Sequence, residues 1–187
     1  LNHPENYKKG LQMIWITPLR SLSKDIAKAM QEAMDEIGLD WVVGVRNGDT
    51  DPKVRQQQVK KMPEILVVTP ESLHLLLAQK NHGTFFRDMK SIVVDEWHEL
   101  LGSKRGVMVE LAISQLRKYV PKMKIWGITA TIGNLDDAMH ILIPYDIKKV
   151  KITAKEHKKI DIIPVFPNEI EILPWAGHLG NKLADKV

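Results

Sequence analysis

Residues 91–98 are Ser91-Ile92-Val93-Val94-Asp95-Glu96-Trp97-His98, a short apolar run that leads directly into two adjacent carboxylates. The run is β-branched and uninterrupted, which is typical of a strand buried on both faces of a parallel sheet. Ligands of open α/β sheets bind beyond the carboxyl ends of the strands. We therefore expect Asp95 and Glu96 to lie at a binding edge.

Two carboxylates at such an edge suit a site that hydrolyses a nucleoside triphosphate. Asp95 could hold Mg²⁺, which prefers hard oxygen ligands, and Glu96 could orient or deprotonate the attacking water. His98 is close enough in sequence to lie beside the terminal phosphate. The alternative is an acidic helix start that only complements the helix dipole, and taken alone these residues favour it. A zinc protease is excluded, because His98 and Glu99 are not followed by a second histidine at the required spacing.

The rest of the chain alternates between apolar runs and helical patterns about five times, which predicts an α/β layer fold with a mostly parallel sheet. Ser21 is placed to cap the first helix and Gly38 to end it. Trp15 and Trp126 lie within predicted strands, so we expect both in the core. Strands are predicted at 11–16, 41–45, 65–68, 92–94 and 125–128, and helices at 22–37, at 51–62, from Pro70, around 109–116 and at 135–142.

Three further polar stretches follow predicted strands, as the acidic pair does. Residues 17–25 begin Thr17-Pro18-Leu19-Arg20, residues 69–73 begin Thr69-Pro70-Glu71-Ser72, and residues 129–131 are Thr129-Ala130-Thr131. Hydroxyl groups and helix N-termini are good contacts for phosphates. Each stretch alone is an ordinary helix start or strand end, but together they predict one edge that gathers a cation site and several phosphate sites.

In order and spacing these stretches resemble the first RecA-like domain of superfamily 2 helicases. Residues 17–25 resemble its motif Ia, 69–73 its motif Ib, 95–98 its DExH motif II, and 129–131 its motif III. Residues 46–51, 95–106 and 174–180 resemble more narrowly the long-helicase-related branch, and within it the ligase-associated DEXH-box helicases of bacteria.

The resemblance implies a RecA-like three-layer sandwich, with ATP and Mg²⁺ as cofactors. It implies that Asp95 coordinates the Mg²⁺, that Glu96 acts on the water, and that His98 takes part in catalysis and, with Thr129 and Thr131, couples hydrolysis to the grip on nucleic acid. For Lys104 and Arg105 an ordinary basic helix start is an equally weighted alternative. The residues assigned to the nucleic-acid backbone are Thr17, Pro18, Arg20, Thr69, Ser72, Lys104 and Arg105.

A phosphate-binding loop of the form Gly-x-x-x-x-Gly-Lys-Ser/Thr is not present, because no Gly-Lys dipeptide occurs in the sequence. The resembled family carries this loop before motif Ia, so we expect it upstream of Leu1 in a longer parent chain, and we expect these residues alone not to hydrolyse ATP. The predicted sandwich therefore lacks the phosphate-loop strand. Unpaired strand edges seek partners. We accordingly expect self-association, a tail strand that fills the gap, or low stability.

Composition and charge bound the remaining possibilities. The chain has 187 residues, a formal net charge of +4 and no cysteine, which excludes disulfides and cysteine-based zinc sites and agrees with a cytoplasmic location. No apolar run is long enough to span a membrane, and the N-terminus does not resemble a signal peptide. We predict a motor domain at 1–150 and trailing strands with a connector at 151–187. The lysines between Lys148 and Lys159 are interpreted as a solvated face or a nucleic-acid patch.

The function that the family resemblance implies for the parent chain is that of an ATP-dependent helicase or translocase. Single-stranded or duplex DNA is favoured over RNA as its partner, because the resembled branch is tied to DNA repair, and a DNA ligase or nuclease of a repair pathway is suggested as a further partner. One alternative is a non-catalytic RecA-like module that holds nucleic acid or a protein. Another is a stand-alone metal hydrolase that uses Asp95, Glu96 and His98.

Overall fold

The computed structural model describes residues 10–80, 82–130, 132–145 and 148–153. The chain divides into two compact units, Leu1–Lys149 and Val150–Val187, and the elements described below belong to the first. Thr131 and the stretch 174–180 lie outside the described residues. The division predicted at residue 150 stays a prediction.

Five strands form one sheet in the order β2-β3-β1-β4-β5, and every neighbouring pair is parallel. This confirms the predicted α/β class. The strands are β1 (Met13–Ile16), β2 (Val43–Arg46), β3 (Ile65–Val68), β4 (Ser91–Val94) and β5 (Lys124–Gly127). The helices are α1 (Leu22–Glu36), α2 (Pro52–Lys60), α3 (Pro70–Leu77), α4 (His82–Phe86), α5 (Trp97–Leu100), α6 (Lys104–Tyr119) and α7 (Leu135–Leu142).

Helices cover both faces of the sheet and so make three layers. On one face Ile14, Leu66 and Ile92 stand in one register row and belong to the hydrophobic core. Apolar residues of α3, α6 and α7 complete that core. Helix α1 packs against β2 and β3, where it buries Ala27. A buried parallel sheet of this kind needs apolar layers on both sides.

Trp126 is not a core residue, so that prediction was wrong. In the register of the sheet it stands beside Val93 and Trp15, on the face opposite Ile92. Val67 in the same row is fully buried, whereas Trp15 is half-buried and Trp126 is 52% exposed. The physical reason is position, since β5 is an edge strand that pairs only with β4 among the described residues.

The start of α1 also differs from expectation. Ser21 has helical backbone angles (φ −58°, ψ −39°) and makes no side-chain capping bond, so its predicted cap was wrong. The helix begins instead on a tight turn in which the Ser23 amide donates to the Arg20 carbonyl at 3.2 Å. Gly38, with φ +72°, follows the end of α1 as predicted, because a residue without Cβ adopts the left-handed conformation at little cost.

The two ends of the sheet in the described part of the chain are β2 and β5. No described strand pairs with the outer edge of β5, and residues 154–187, which include the predicted tail strands, lie outside the described residues. The predicted self-association through strand edges stays a prediction. Among the described residues, no helix has the length and apolar character to cross a bilayer.

Candidate nucleotide and nucleic-acid site

Asp95 is fixed at the carboxyl edge of the sheet, directly after β4. Its amide donates to the Ile16 carbonyl of the neighbouring strand β1 at 2.9 Å, which continues the ladder by one bond. One carboxylate oxygen accepts from the Glu96 amide at 3.0 Å, and the other accepts from the Trp15 indole at 3.3 Å. Both oxygens are therefore oriented by neutral donors, and the carboxylate has no ion-pair partner in the described part of the chain.

Glu96 occupies a strained backbone position. Its φ of 47° and ψ of 45° are left-handed, and it is the only non-glycine residue with positive φ among those described. Such a conformation costs roughly 1–2 kcal/mol for an L-residue and is concentrated at functional sites. The side chain remains 42% exposed. The turn thus displays this carboxylate at the sheet edge, beside that of Asp95.

His98 connects the acidic turn to the segment that follows β5. Its Nδ1 atom accepts a hydrogen bond from the Ala130 amide at 3.3 Å and lies 3.3 Å from the Thr129 hydroxyl. The same atom is 3.4 Å from a carboxylate oxygen of Glu96, while Nε2 is 3.5 Å from Glu99. The His98 ring therefore contacts both the acidic turn and the segment after β5, which were predicted to couple ATP hydrolysis to the binding of nucleic acid.

The contacts of the two ring nitrogens define one tautomer of the neutral His98. Because Nδ1 accepts from the Ala130 amide, the proton of the neutral ring lies on Nε2, toward Glu99.

Trp97 anchors this edge from beneath. It is 2% exposed, its indole donates to the Ala138 carbonyl in α7 at 3.0 Å, and its amide donates to the Ile128 carbonyl at 2.9 Å. A buried indole normally finds such a partner. These two hydrogen bonds tie the acidic turn to α7 and to the residue that follows β5.

Four of the predicted phosphate contacts follow β1 or β3 and are buried in this structure. They are Thr17, Pro18, Thr69 and Ser72. The Thr17 hydroxyl accepts from the Leu19 amide at 3.4 Å, and the Thr69 hydroxyl donates to Ser72 at 3.2 Å. These side chains shape the two turns, and their hydroxyls are occupied within the protein.

Two predicted cations are exposed at the surface beside these turns. Arg20 is exposed and lies 3.7 Å from the similarly exposed Asp49, a separation at which a surface pair contributes little. Lys104, the first residue of α6, is exposed and makes no ion pair with any described residue. Both are available to an anionic ligand.

Arg105 is engaged within the protein. Its Nε and Nη2 groups donate to the two carboxylate oxygens of Glu71 at 2.6 and 3.3 Å, and Nη1 donates to the Pro18 carbonyl at 2.8 Å. Burial alone would raise the pKa of Glu71, but the hydrogen bonds and positive charge of Arg105 outweigh it, and the pKa lies below its usual value. Glu71 was not predicted as a site residue, and no local pattern marks it, because its partner is 34 residues away.

The turn after β2 is a second feature that the assigned site residues did not include. Arg55 donates to the carbonyls of Asn47 and Gly48 at 2.9 and 2.8 Å, and Asn47 is buried. A Cβ on Gly48 would come within 2.9 Å of the Arg20 guanidinium. This turn therefore abuts one of the predicted backbone contacts. The stretch 46–51 carried family resemblance, which was the available signal.

A family model described as DEAD/DEAH box helicase matches residues 1–138. The chain belongs to this family. The predicted recognition and the RecA-like fold are thereby confirmed, and the same match covers the acidic turn, both phosphate-type turns and the segment after β5. The resemblance to the ligase-associated branch stays a prediction.

Similar proteins support the long-helicase-related assignment. The ATP-dependent helicase Lhr-Core of Saccharolobus solfataricus is 32% identical over 162 residues, which is 82% of this chain and 18% of that protein. The solved structure of Mycobacterium smegmatis helicase Lhr bound to ssDNA and AMP-PNP is 29% identical with a TM-score of 0.58, over 66% of this chain and 17% of the other. The helicase MrfA bound to DNA is 26% identical with a TM-score of 0.63, over 71% and 19%. The chain spans about a fifth of the length of these relatives.

Proposed function

We propose that this chain is part of the motor of an ATP-dependent helicase or translocase that acts on nucleic acid. The observation that carries the proposal is His98, which contacts the acidic turn through Glu96 and the segment after β5 through Thr129 and Ala130. An arrangement of this kind can transmit the state of a nucleotide to a second segment, because one ring contacts both the acidic turn and the segment after β5. The names of the relatives, which are ATP-dependent helicases, agree with it.

The chemistry of the proposed site follows from its carboxylates. Asp95 fits a role as a Mg²⁺ ligand, because both of its oxygens are oriented and it lacks a cationic partner among the described residues. Mg²⁺ usually takes one or two protein carboxylates together with substrate phosphates. Within the described residues no group of three or more ligating side chains could hold a metal alone, so binding is expected only with nucleotide. Mg²⁺ supplies charge neutralisation at the phosphates, and Glu96 orients the attacking water.

The proposed partner is a single strand of DNA, bound through its backbone. Arg20 and Lys104 are the exposed cations of this edge, while Thr17, Pro18, Thr69 and Ser72 give the two turns their shape, and Thr131 belongs with Thr129 in the coupling segment. Contacts of this type give little sequence preference and a strong salt dependence. Similar proteins were solved with DNA or with RNA bound, which supports nucleic acid as the partner, and the choice of DNA rests on the resemblance to the long-helicase-related branch.

The finer assignments rest on the family resemblance alone. These are a role in DNA repair, a DNA ligase or nuclease as partner, and a cytoplasmic location. A non-catalytic nucleic-acid-binding module is the second candidate, and a full-length protein without a Gly-x-x-x-x-Gly-Lys-Ser/Thr loop would favour it. That candidate keeps the strand-binding edge and loses turnover.

The test is ATP hydrolysis by the full-length protein, measured without nucleic acid, with single-stranded DNA and with single-stranded RNA. We expect stimulation that is greater with DNA, and loss of turnover in Glu96→Gln, which keeps the shape of the side chain and removes its charge. Absence of turnover in the wild-type protein, with DNA binding retained, would refute the motor and leave the binding module.

A further inference from the structure

Three segments of the chain meet at the Arg105 guanidinium. Pro18 in the turn after β1 is 87 residues away from it, and Glu71 at the start of α3 is 34 residues away. The side chain of Arg105 is 35% exposed and that of Glu71 is 44% exposed. We use the name clasp for the three hydrogen bonds that Arg105 makes to these two residues.

The clasp uses the part of the guanidinium that would otherwise grip a phosphate. Arginine binds phosphate and carboxylate through the same pair of parallel N–H bonds. In this structure the Nε and Nη2 groups form that pair with Glu71. A phosphate that approached Arg105 would meet the negative charge of Glu71, and the two charges offset each other.

The clasp joins both phosphate-type turns. Nη1 holds the carbonyl of Pro18 in the first turn, and Glu71 follows Thr69-Pro70 in the second. The partners of Arg105 therefore lie on the same edge as the exposed cations Arg20 and Lys104. A site that contacts several phosphates of one strand binds tightly only when its contact residues already have the correct spacing, because ordering these residues on binding costs affinity.

The position of Arg105 is itself tightly specified. The Ser103 hydroxyl accepts from the Gly106 amide at 3.1 Å and donates to the Leu100 carbonyl at 2.7 Å, which fixes the start of α6 against the end of α5. Gly102, with φ +68°, makes the turn between the two helices. Arg105 thus lies a few residues after Glu96 and His98 in the sequence, at the start of the helix that follows them.

We infer that Arg105 is a positioning residue, which holds the turn after β1 and the start of α3 at a fixed spacing so that the strand-binding edge is formed before a strand arrives. The inference rests on the proposed function, because it gives Arg105 a role at the proposed nucleic-acid edge. The sequence predicted that Arg105 contacts a phosphate directly. In this inference Arg105 instead affects binding by holding Pro18 and Glu71 in position.

The experiment compares variants of the full-length protein by their affinity for a fluorescent oligo-dT at several salt concentrations. In Arg105→Ala we expect affinity to fall roughly tenfold, the size of the coupling within one contact network, with an unchanged slope of log affinity against log salt. Glu71→Gln should also weaken binding, although removal of a negative charge would by electrostatics alone strengthen it. The double variant should be no weaker than the weaker single variant.

Three further variants test the salt slope, the background and the geometry of the clasp. Lys104→Ala removes a proposed direct contact, so its slope should fall by about 0.7, the value for one phosphate contact on a single strand. Arg87→Ala removes an exposed arginine between α4 and β4, near the amino ends of the strands, and should change neither affinity nor slope. Arg105→Lys keeps the charge but cannot reach both partners, so it should restore affinity only in part.

Amide hydrogen exchange of the free protein gives a readout that needs no DNA. The amides of Ser23 and Leu73, which close the two turns on the carbonyls of Arg20 and Thr69, should exchange faster in Arg105→Ala and Glu71→Gln but not in Arg87→Ala. Unchanged exchange would overturn the inference even where DNA binds normally. A lower salt slope in Arg105→Ala, with tighter binding in Glu71→Gln, would show that Arg105 contacts phosphate and would overturn it as well. If the wild-type protein binds no DNA, but amide exchange is still faster in Arg105→Ala and Glu71→Gln, the proposed function is refuted. The clasp would then be a contact that stabilises the two turns only.

Discussion

Gly106, near the start of α6, is the position where a single added methyl group should be most costly. The Cβ of an alanine there would lie 2.2 Å from the Leu100 carbonyl oxygen, whereas real Cβ atoms essentially never come within 3.0 Å of another heavy atom. The obstacle is backbone, so a rotamer change cannot relieve it. Either α5 or α6 has to move by several tenths of an ångström.

The expected cost of Gly106→Ala follows from two opposing contributions. Overpacking at a rigid site costs roughly 1–3 kcal/mol, and the absence of a flexible neighbour places this site at the upper end. Alanine is intrinsically better in a helix than glycine by about 1 kcal/mol. We therefore expect the free energy of unfolding to fall by about 2 kcal/mol, or the melting temperature by roughly 4–8 °C for a chain of this length.

The assay is urea unfolding of the 187-residue chain followed by far-UV circular dichroism. Gly133→Ala is the matched control, because Gly133 has no heavy atom within 4 Å of the added Cβ and its φ is not positive. It should change the free energy of unfolding by less than about 0.5 kcal/mol. A Gly106→Ala variant as stable as this control would refute the tight contact between α5 and α6.

Three further predictions test other parts of the structure. Trp97→Phe removes the buried indole bond to Ala138 and should lower the free energy of unfolding by roughly 1–3 kcal/mol, measured by the same urea titration; an unchanged value would show that the bond is not formed. The folded-state pKa of Glu71 lies below its reference value of 4.5, so the carboxylate contributes stability above that pH and loses this contribution as the pH falls through the folded pKa. The difference in unfolding free energy between the wild type and Glu71→Gln should therefore shrink between about pH 7 and about pH 3. A difference that does not depend on pH would contradict this prediction. Trp126 is exposed, so Trp126→Phe should lower the acrylamide quenching constant of the tryptophan fluorescence, whereas an unchanged quenching constant would mean that Trp126 is covered in solution.

Burial on both faces makes a strand easy to find in the sequence, but it does not fix the ends of the strand. All four residues of β3 are buried, and this strand was predicted with its observed bounds. The central strands β1 and β4 were predicted two residues too long and one residue too short, and the edge strands β2 and β5 were displaced by one or two residues as well. In β5 Trp126 is apolar and lies within a strand, yet no pattern in the sequence shows that its face is uncovered.

The acidic turn was predictable for a topological reason. Once β1, β4 and β5 are parallel neighbours, the residues that follow them must meet at one edge, which brings Asp95, His98 and Thr129 together. The clasp was not predictable, because Arg105 finds its partners across 34 and 87 residues of sequence. A basic residue at a helix start has the same local pattern whether it binds phosphate or a distant carboxylate.

Coupling through His98 is the central claim of the proposed function, and one comparison tests it most directly. ATP hydrolysis of the full-length protein should be measured with and without single-stranded DNA in the wild type, in His98→Ala, and in the control Glu99→Gln, which alters only the Nε2 side of the ring. We predict that His98→Ala lowers hydrolysis with DNA roughly tenfold more than hydrolysis without DNA, within the range of ordinary coupling between sites, while the control keeps its stimulation. Equal losses with and without DNA, or full stimulation in His98→Ala, would contradict the account.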